Sequence, residues 1–398
     1  MSSHDERVYL DNAATTRLDE RVLEAMLPHL TQNWGNPNSL YATGREAYTA
    51  LESAREQFAA LIGAAHPNEV IFTSGGTESD NAALLGIASR KAPHGGHIIV
   101  SAFEHHAVLE PAHVLEKRGY AVTLLAPRQD GHVHIDDVRA AFRDDTVLVS
   151  VMHGNNEIGT VQPIAEISEI AHAAGALVHT DAAQTLGKLP FDVQELGVDA
   201  ASFSAHKIYG PKGVGALYLR RSTPFEPLIR GGGQEFKKRS GTQNVAGAVG
   251  IAKALEIMIA EQPEETPRLE ALRDRVIEGV TTRLENTEAT TLVGPRMPNI
   301  ASLLIKGVEG EAMLLQLDAK GISVSTGSAC SSGSLEPSHV LLSIGCPPEV
   351  AHGSLRISLG RYTTTEDVDR FLDAFPPIVE RLRSMSPVYE KMYGSSAR

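Results

Sequence analysis

Seven short apolar runs rich in β-branched residues recur through the middle of the chain. They lie at residues 70–73, 97–100, 122–125, 147–151, 177–179, 201–203 and 215–219. Runs of this length that are apolar throughout are typical of strands buried on both faces. Amphipathic stretches separate most of them, for example 110–117 and 163–174. The alternation predicts an α/β fold in which helices cover both faces of a mostly parallel, seven-stranded sheet.

The pattern changes on both sides of this region. Before it, a single apolar stripe over residues 47–61 predicts a packing helix that ends at Gly63. After it, a small-residue helix around 245–258 is followed by a charged, proline-bearing stretch at 261–268, which we interpret as a boundary. Short strands near 300–305 and 355–359 and an amphipathic helix near 368–382 then predict a smaller α+β domain. We place the large domain at 15–262 and the small domain at 1–14 and 263–398.

Composition narrows the class of protein. The 398 residues are 42% hydrophobic and 21% charged, with a net charge of −13, as in an ordinary globular protein. An acidic chain without a run of Lys or Arg is not expected to bind nucleic acid as its main ligand. No apolar run reaches about 18 residues, so no membrane span is expected. The two cysteines, Cys330 and Cys346, form no disulfide framework, which favours a reducing compartment and a cytoplasmic location.

The sequence Ser-Gly-Gly-Thr-Glu-Ser at 74–79 follows a predicted strand and opens a helix. Backbone N–H groups at Gly76 and the hydroxyl of Thr77 would then point from a helix N-terminus, which is an anion cradle. The alternative is a plain glycine turn with Thr77 as the helix cap. The sequence matches neither the P-loop nor the dinucleotide fingerprint, which argues against a nucleotide hydrolase or a dehydrogenase.

Two further charged residues follow predicted strands. Asp181 lies at the carboxyl end of strand 177–179, where open α/β sheets bind ligands, although a helix-capping aspartate is the alternative. Lys207 follows the next strand, close to Ser204, His206 and several glycines, although a single lysine is usually a solvated surface residue. A phosphate cradle, a strand-end carboxylate and a strand-end lysine together match what pyridoxal phosphate requires.

Three more residues are candidates for chemistry. His105 follows strand 97–100 and could stack on a planar cofactor; despite 16 histidines, the spacing favours no metal site. Cys330 lies in a Ser/Gly-rich stretch, which predicts an exposed, mobile loop and a nucleophilic thiol, whereas Cys346 lacks such a setting. Arg356, on a predicted strand, could bind a substrate carboxylate, although a structural ion pair is the commoner use.

Over almost its whole length the chain resembles the cysteine desulfurases, pyridoxal-phosphate enzymes of the class V aminotransferase group with fold type I. The resemblance rests on segments at 9–16, 73–81, 152–159, 179–184, 202–213, 239–242 and 327–338. It implies conversion of L-cysteine to L-alanine and transfer of the sulfur, as a persulfide, to an acceptor protein. Gly76, Ala183 and Ala205 depart slightly from the pattern of many relatives.

The resemblance also implies residue roles. Lys207 resembles the Schiff-base lysine, Asp181 the partner of the pyridinium nitrogen, Gln184 the contact to the ring hydroxyl and His105 the stacked imidazole and proton acceptor. The phosphate cup would be formed by Gly76, Thr77, Ser204, His206 and, from the neighbouring protomer of a homodimer, Thr242. Arg356 and Asn156 resemble the groups that bind the substrate carboxylate, and Cys330 resembles the nucleophile that accepts sulfur.

The surroundings of Cys330 resemble the subgroup with a long cysteine loop, which serves iron–sulfur cluster assembly and similar pathways. Cluster assembly, tRNA thiolation and DNA sulfur modification remain open as destinations of the sulfur. Two other functions also remain open. An aminotransferase or β-lyase of the same fold would make Cys330 incidental, and an inactive scaffold would keep the fold only to bind partners.

Overall fold

The computed structural model describes residues 7–326, 336–387 and 389. Within these ranges the strands are Val8–Tyr9 (β1), Val70–Thr73 (β2), His97–Ser101 (β3), Ala121–Leu125 (β4), Thr146–Ser150 (β5), Leu177–Asp181 (β6), Ala200–Ser204 (β7), Gly215–Leu219 (β8), Thr287–Ala289 (β9), Ile300–Ile305 (β10), Ile322–Ser323 (β11) and Ser354–Ser358 (β12). The α-helices are Glu20–Thr31 (α1), Ala42–Leu61 (α2), Gly76–Lys91 (α3), His106–Lys117 (α4), Ile135–Ala141 (α5), Ile164–Ala173 (α6), Val245–Arg283 (α7), Gly310–Ala319 (α8), His339–Ser343 (α9), Pro348–Ala351 (α10) and Thr365–Ser384 (α11). Short 3₁₀ turns lie at Pro67–Glu69, Ala205–Lys207 and Glu235–Lys237.

The seven predicted strands form one sheet in the order β2-β8-β7-β6-β5-β3-β4. The pairs from β7 to β4 are parallel, whereas β8 runs antiparallel to both β7 and β2. The connection from β7 to β8 contains only a short 3₁₀ turn, and a parallel crossover needs a longer connection, usually a helix. The expectation of a mostly parallel sheet is therefore confirmed, with strand ends within two residues of those predicted.

Apolar cores cover both faces of this sheet. On one face Leu84, Ile87 and Leu115 of α3 and α4 pack against Ile98 of β3. On the other face, side chains of α2, α6 and the first part of α7 pack together with Phe203 of β7. Because both faces are buried, apolar side chains are favoured at successive positions of the strands, which explains their apolar runs.

A second apolar core lies beside the sheet. It is built from Val276 of α7, Leu303 of β10, Ile357 of β12 and Phe371 of α11, all buried. The strands β9, β10 and β12 form a three-stranded antiparallel sheet, and β1 pairs in parallel with β11. Val8 and Leu10 belong to this second core. The N-terminal segment therefore packs with the C-terminal part of the chain.

The helix α7 differs from the expectation. The stretch 261–268, interpreted from its charges and prolines as a boundary, lies inside this 39-residue helix together with Pro263 and Pro267. Apolar residues on either side of it hold the helix: Leu255 packs in the sheet core and Val276 in the second core. Packing at both ends thus outweighs the helix-breaking tendency of the prolines. The domain limits at 14/15 and 262/263 stay a prediction.

Of the helices described above, none is both long and apolar enough to cross a membrane.

Candidate active site

A cavity of about 700 Å³ opens where the sheet meets the second core, at the carboxyl ends of β6 and β7 and the N-terminus of α3. Ten of the residues predicted to form the site line it: Gly76, Thr77, His105, Asn156, Asp181, Gln184, Ser204, His206, Lys207 and Arg356. Thr242 does not line this cavity and is exposed. Cys330 lies in 327–335, outside the described residues; Ser325, just before that range, lines the cavity.

The anion cradle forms where β2 passes into α3. Gly75 is the N-cap and carries no side chain, so the alternative in which Thr77 caps the helix is wrong. A Cβ on Gly76 would lie 3.5 Å from the Cβ of Ser204, which places the ends of two separate motifs side by side. The first-turn N–H groups of α3 therefore face the same space as the Ser204 side of the cavity.

The carboxylate of Glu78 organises the turn that precedes α3. Its Oε2 accepts a hydrogen bond from the Ser74 N–H at 2.8 Å, and its Oε1 accepts one from Arg239 Nε at 2.9 Å. These bonds lower the pKa of Glu78 despite its partial burial. The negative charge beside the cradle is thereby balanced by Arg239, so it opposes a bound anion less.

Lys207 lies at the end of a 3₁₀ turn that follows β7. Its Nζ donates to the backbone oxygens of Ala13 and Ala14 at 2.6 and 2.8 Å. Gln184 Nε2 donates to the same Ala13 oxygen at 2.9 Å, whereas the buried Gln184 Oε1 accepts no hydrogen bond from any described residue. The turn at 13–14 therefore accepts hydrogen bonds from both Lys207 and Gln184, two predicted cofactor residues. No role was predicted for this turn from the sequence.

Asp181 ends β6 and is 7% exposed. One carboxylate oxygen accepts a hydrogen bond from the Ala183 N–H at 2.8 Å, as a capping aspartate would, yet the side chain also lines the cavity. Burial raises the pKa of Asp181, and the nearby His105 and Lys207 partly offset that rise. A cationic ligand group in the cavity would favour the ionised carboxylate in the same way.

His105 is the N-cap of α4, and its Nδ1 accepts a hydrogen bond from the Ala107 N–H at 3.1 Å. Burial and the charge of Lys207 lower the pKa of His105, so the ring is neutral at neutral pH. Since Nδ1 is the acceptor, the single ring proton lies on Nε2. The ring therefore offers a donor at Nε2, and uptake of a proton at Nδ1 requires the contact with Ala107 to open.

His206 is likewise neutral, because burial and neighbouring lysines lower its pKa to about 4. Its Nδ1 lies 3.1 Å from the Thr15 hydroxyl. A phosphate at this position would be bound by hydrogen bonds, and the positive charge of the cavity comes from Lys207, Lys212 and Arg356.

Arg356 is a buried cation on β12. Its Nη1 donates to the Asn156 backbone oxygen at 3.0 Å and its Nη2 pairs with Asp11 at 2.8 Å. Its buried Nε makes no hydrogen bond within the described part of the chain. The structural ion pair named as the commoner alternative is thus present, and the side chain lines the cavity as well. Asp11 is a site residue that the sequence analysis missed.

Two further carboxyl groups missed from the sequence interact electrostatically with Asp181. Asp80 is buried and lines the cavity, whereas Glu104 is fully buried and does not line it. Burial raises the pKa of Asp80 well above its usual value and that of Glu104 to about 8. Glu104 accepts hydrogen bonds from the Ser101 hydroxyl and the Met152 N–H, whereas its Oε2 is unpartnered among the described residues. At neutral pH Glu104 is therefore protonated.

This protonation has a consequence for stability. Because the pKa of Glu104 is raised to about 8 by folding, unfolding releases a proton between pH about 4.5 and pH about 8. The free energy of unfolding should therefore fall as pH rises through this window. The neutral variant Glu104→Gln should lose this pH dependence. Its free energy of unfolding, relative to that of the wild type, should rise by up to about 4 kcal/mol between pH 5 and 8.

Urea unfolding at several pH values, with the same cofactor loading throughout, measures the difference. Glu110→Gln, an exposed glutamate of α4, is the matched control and should track the wild type. If the free energy of unfolding of Glu104→Gln changes with pH in parallel with that of the wild type, the assignment of a protonated Glu104 is wrong.

No group of three His, Cys, Asp or Glu side chains that could hold a metal ion occurs in residues 7–326, 336–387 and 389.

Comparison with known proteins places this site in context. Residues 8–371 match the family described as "Aminotransferase class-V". A curated protein named "Cysteine desulfurase IscS" from Dictyoglomus turgidum is 53% identical over 380 residues, which is 96% of each chain. A solved structure named "NIFS-LIKE PROTEIN" has a TM-score of 0.89 and 41% identity, covering 94% of this chain and 100% of that one. Another, "SspA in complex with cysteine", has a TM-score of 0.77 and 35% identity over 89% of this chain and 99% of that one.

Proposed function

The chain belongs to the class V aminotransferase family and to the cysteine desulfurases within it, and we propose that it converts L-cysteine to L-alanine and passes the sulfur to Cys330. The observation that carries the proposal is that Lys207, Asp181 and Arg356, which lie on three different elements, line one cavity. A lysine amine, a buried carboxylate and a buried guanidinium are the groups needed to handle an amino acid on pyridoxal phosphate.

The residues of the cavity fit pyridoxal phosphate. Gln184 Oε1 is a buried acceptor that still lacks a donor among the described side chains, and Asp181 is a buried carboxylate with a raised pKa. We propose that Gly76, Thr77, Ser204 and His206 hold the phosphate, Asp181 the ring nitrogen, Gln184 the ring hydroxyl and Lys207 the aldehyde carbon. When bound, pyridoxal phosphate supplies an electron sink for the negative charge that develops at the substrate Cα.

The chain itself moves the protons. As a free amine, Lys207 would accept the Cα proton of the substrate at its Nζ. The carbonyl oxygens of Ala13 and Ala14 hold that nitrogen at 2.6 and 2.8 Å, so it stays inside the cavity. His105 carries its proton on Nε2, orients the cofactor ring when it is bound, and donates a hydrogen bond from that nitrogen. The Nζ of Lys207 and the Nε2 of His105 are therefore the two atoms at which the chain holds protons.

The sulfur step balances without an external oxidant. The C–S bond of L-cysteine breaks, an S–S bond forms with Cys330, and the substrate carbon takes up a proton. L-cysteine and one thiol therefore give L-alanine and one persulfide. The assignment of Cys330 rests on the resemblance. The other cysteine, Cys346, is poorly suited to the reaction, since burial and nearby Glu288 and Glu349 raise the pKa of its thiol.

Arg356 is proposed to bind the substrate carboxylate. Its guanidinium keeps one buried N–H unpartnered among the described residues and lines the cavity beside Asn156. Lysine retains the charge and loses the fork of donors, so Arg356→Lys should raise the KM for L-cysteine by about ten- to a hundredfold. Steady-state kinetics measure this effect, and the affinity for pyridoxal phosphate should stay within about twofold.

Arg273→Lys is the matched control for this substitution. Arg273 is equally buried and donates to the Met297 backbone oxygen, but it does not line the cavity. Its variant should leave the KM unchanged. An Arg356→Lys enzyme with the KM of the wild type would remove Arg356 from substrate binding.

One experiment separates desulfuration from amino transfer. The cofactor-loaded protein is incubated with L-cysteine and a thiol reductant, and separately with L-alanine and a keto acid. A cysteine desulfurase forms alanine and sulfide in equal amounts in the first mixture and no new amino acid in the second. Amino transfer in the second mixture, without sulfide in the first, would instead identify an aminotransferase. Neither product would indicate an inactive scaffold.

The proposal includes a homodimer with shared sites. Large apolar side chains of α1 and the segment that follows it are exposed, namely Leu23, Leu27, Leu30, Trp34 and Leu40, with Leu40 90% exposed. Exposed apolar surface of this extent favours burial against another chain. Thr242 is exposed and does not line the cavity of its own chain, as expected if it completes the phosphate site of a second copy. A sulfur-acceptor protein and a cytoplasmic location complete the proposal.

A further inference from the structure

We infer that Glu235, held by Arg55, is a positioning residue that sets the place of Thr242 for the cavity of a second copy of this chain. The inference deepens the proposed function, because it rests on the proposed homodimer with shared sites. It concerns the segment 229–242, which we call the crossing loop. Two buried or partly buried ion pairs fix this loop, and it ends at the exposed Thr242.

The first fixed point is a buried ion pair. Arg55 of α2 and Glu235 of the crossing loop are 1% and 3% exposed, and two N–H···O contacts of 2.7 and 2.8 Å join them. Arg55 Nη1 also donates to the Val70 oxygen at 2.7 Å, and Glu235 Oε2 accepts from the Phe72 N–H at 2.9 Å. The pair therefore occupies the free edge of β2, immediately before the anion cradle.

The backbone at this point is strained. Glu235, Phe236 and Lys237 have φ angles of 45°, 56° and 64°, so three consecutive residues other than glycine are left-handed. Such residues are costly and persist only where surrounding contacts determine them. Here the contacts are the Glu235 carboxylate and the Phe236 ring, which lies 5.0 Å from the Arg55 guanidinium carbon. The strain and the buried pair together indicate that the course of the crossing loop is specified.

The second fixed point lies closer to Thr242. Arg239 pairs with Glu78 in the first turn of α3 at 2.9 Å. Gln234 Oε1 accepts a hydrogen bond from the Gly241 N–H at 3.1 Å, and the Ser240 hydroxyl donates to the Gly232 oxygen at 2.8 Å. Gly241, which precedes Thr242, is thus hydrogen-bonded to Gln234, which precedes Glu235. Movement of Glu235 would therefore move Thr242.

These contacts predict which of the two cavities of the dimer Glu235 affects. The crossing loop is fixed to the outer edge of its own sheet, and Thr242 does not line the cavity of its own chain. If Thr242 completes the phosphate site of a second copy, loss of the Glu235 carboxylate weakens cofactor binding in that copy. The cavity of the chain that carries the substitution keeps its affinity.

Mixed dimers with two different purification tags test this direction. One site in each dimer carries Lys207→Ala; because Lys207 is the residue proposed to bind the cofactor aldehyde, the visible absorbance on titration with pyridoxal phosphate reports the other site alone. In the first dimer, Glu235→Gln is placed in the protomer that carries Lys207→Ala. In the second dimer, it is placed in the opposite protomer. The reference dimer carries Lys207→Ala in one protomer and no other substitution.

The expected result is a dissociation constant for pyridoxal phosphate about tenfold higher in the first dimer than in the reference. The second dimer should bind within about twofold of the reference. The reverse pattern would mean that Glu235 supports its own cavity, and equal weakening in both dimers would mean a general structural role. Either result, or no change in either dimer, overturns the inference.

Three further variants are tested in the same two arrangements, that is, in the protomer that carries Lys207→Ala or in the opposite protomer. Thr242→Ala tests the shared site itself: if its effect shows no dependence on arrangement, the shared-site part of the proposed function fails, whatever Glu235 does. Glu52→Gln removes another carboxylate that pairs with Arg55, at 3.1 Å, without touching the crossing loop, and should have no effect in either arrangement. Gln234→Ala removes only the bond to Gly241 and covers the case in which Glu235→Gln does not fold. It should raise the dissociation constant in the first arrangement alone.

Discussion

Replacing Lys207 with alanine is expected to lower the rate of alanine formation from L-cysteine by at least about a thousandfold. The substitution removes both the amine proposed to bind the cofactor and the group proposed to take the Cα proton. The side chain makes its described hydrogen bonds to the backbone oxygens of Ala13 and Ala14. Circular dichroism and urea unfolding show whether the variant is folded, so that a loss of activity can be assigned to the missing amine.

Lys212→Ala is the matched control for this loss. Lys212 also lines the cavity, but it is exposed. Its removal should lower the rate by less than about tenfold, since it supplies charge and not proton transfer. The account of Lys207 fails if the folded Lys207→Ala enzyme retains a tenth of the wild-type rate, or if both lysine variants lose activity equally.

The second large effect is expected at Cys330. Cys330→Ala should leave pyridoxal phosphate binding within about twofold of the wild type and reduce sulfide release from L-cysteine by at least about a thousandfold. The physical reason is that the substrate sulfur leaves by forming an S–S bond with a thiolate, and the variant has no thiolate at that position. Quantifying alanine and sulfide in the same sample, with a reductant present, measures the effect.

Cys346→Ala provides the control, because the two variants remove one thiol each. Burial raises the pKa of Cys346, so its thiolate fraction at neutral pH is small, and sulfide release should stay within about twofold of the wild type. Sulfide production at the wild-type rate by Cys330→Ala would contradict the scheme. A Cys346→Ala enzyme that loses activity would move the nucleophile to the other cysteine.

The strands could be predicted from the sequence because burial on both faces leaves a signal in every residue. At the cavity the prediction stopped short at polar residues: β6 and β7 extend to Asp181 and Ser204, which line the cavity. The stretch 261–268, interpreted from its charges and prolines as a boundary, lies inside α7. Packing in two separate cores keeps this helix continuous.

The site residues could be predicted where one short motif brings several polar groups together, as around Thr77 and Lys207. Residues that act through distant contacts could not. Asp11 meets Arg356 across 345 positions of the chain, and its own neighbourhood carries no sign of that pairing. The protonation of a buried carboxylic acid such as Glu104 could not be predicted from the sequence either, because it depends on burial in the folded protein.

The central claim is that the sulfur of L-cysteine moves to Cys330 as alanine forms. The most direct test is a single turnover of the cofactor-loaded protein with L-cysteine and no reductant, followed by quantification of alanine and mass spectrometry of the peptide that contains Cys330. The account predicts one alanine per site and a gain of one sulfur atom on that peptide, with none on the Cys346 peptide. Alanine without added sulfur on the Cys330 peptide, or no alanine at all, would contradict it.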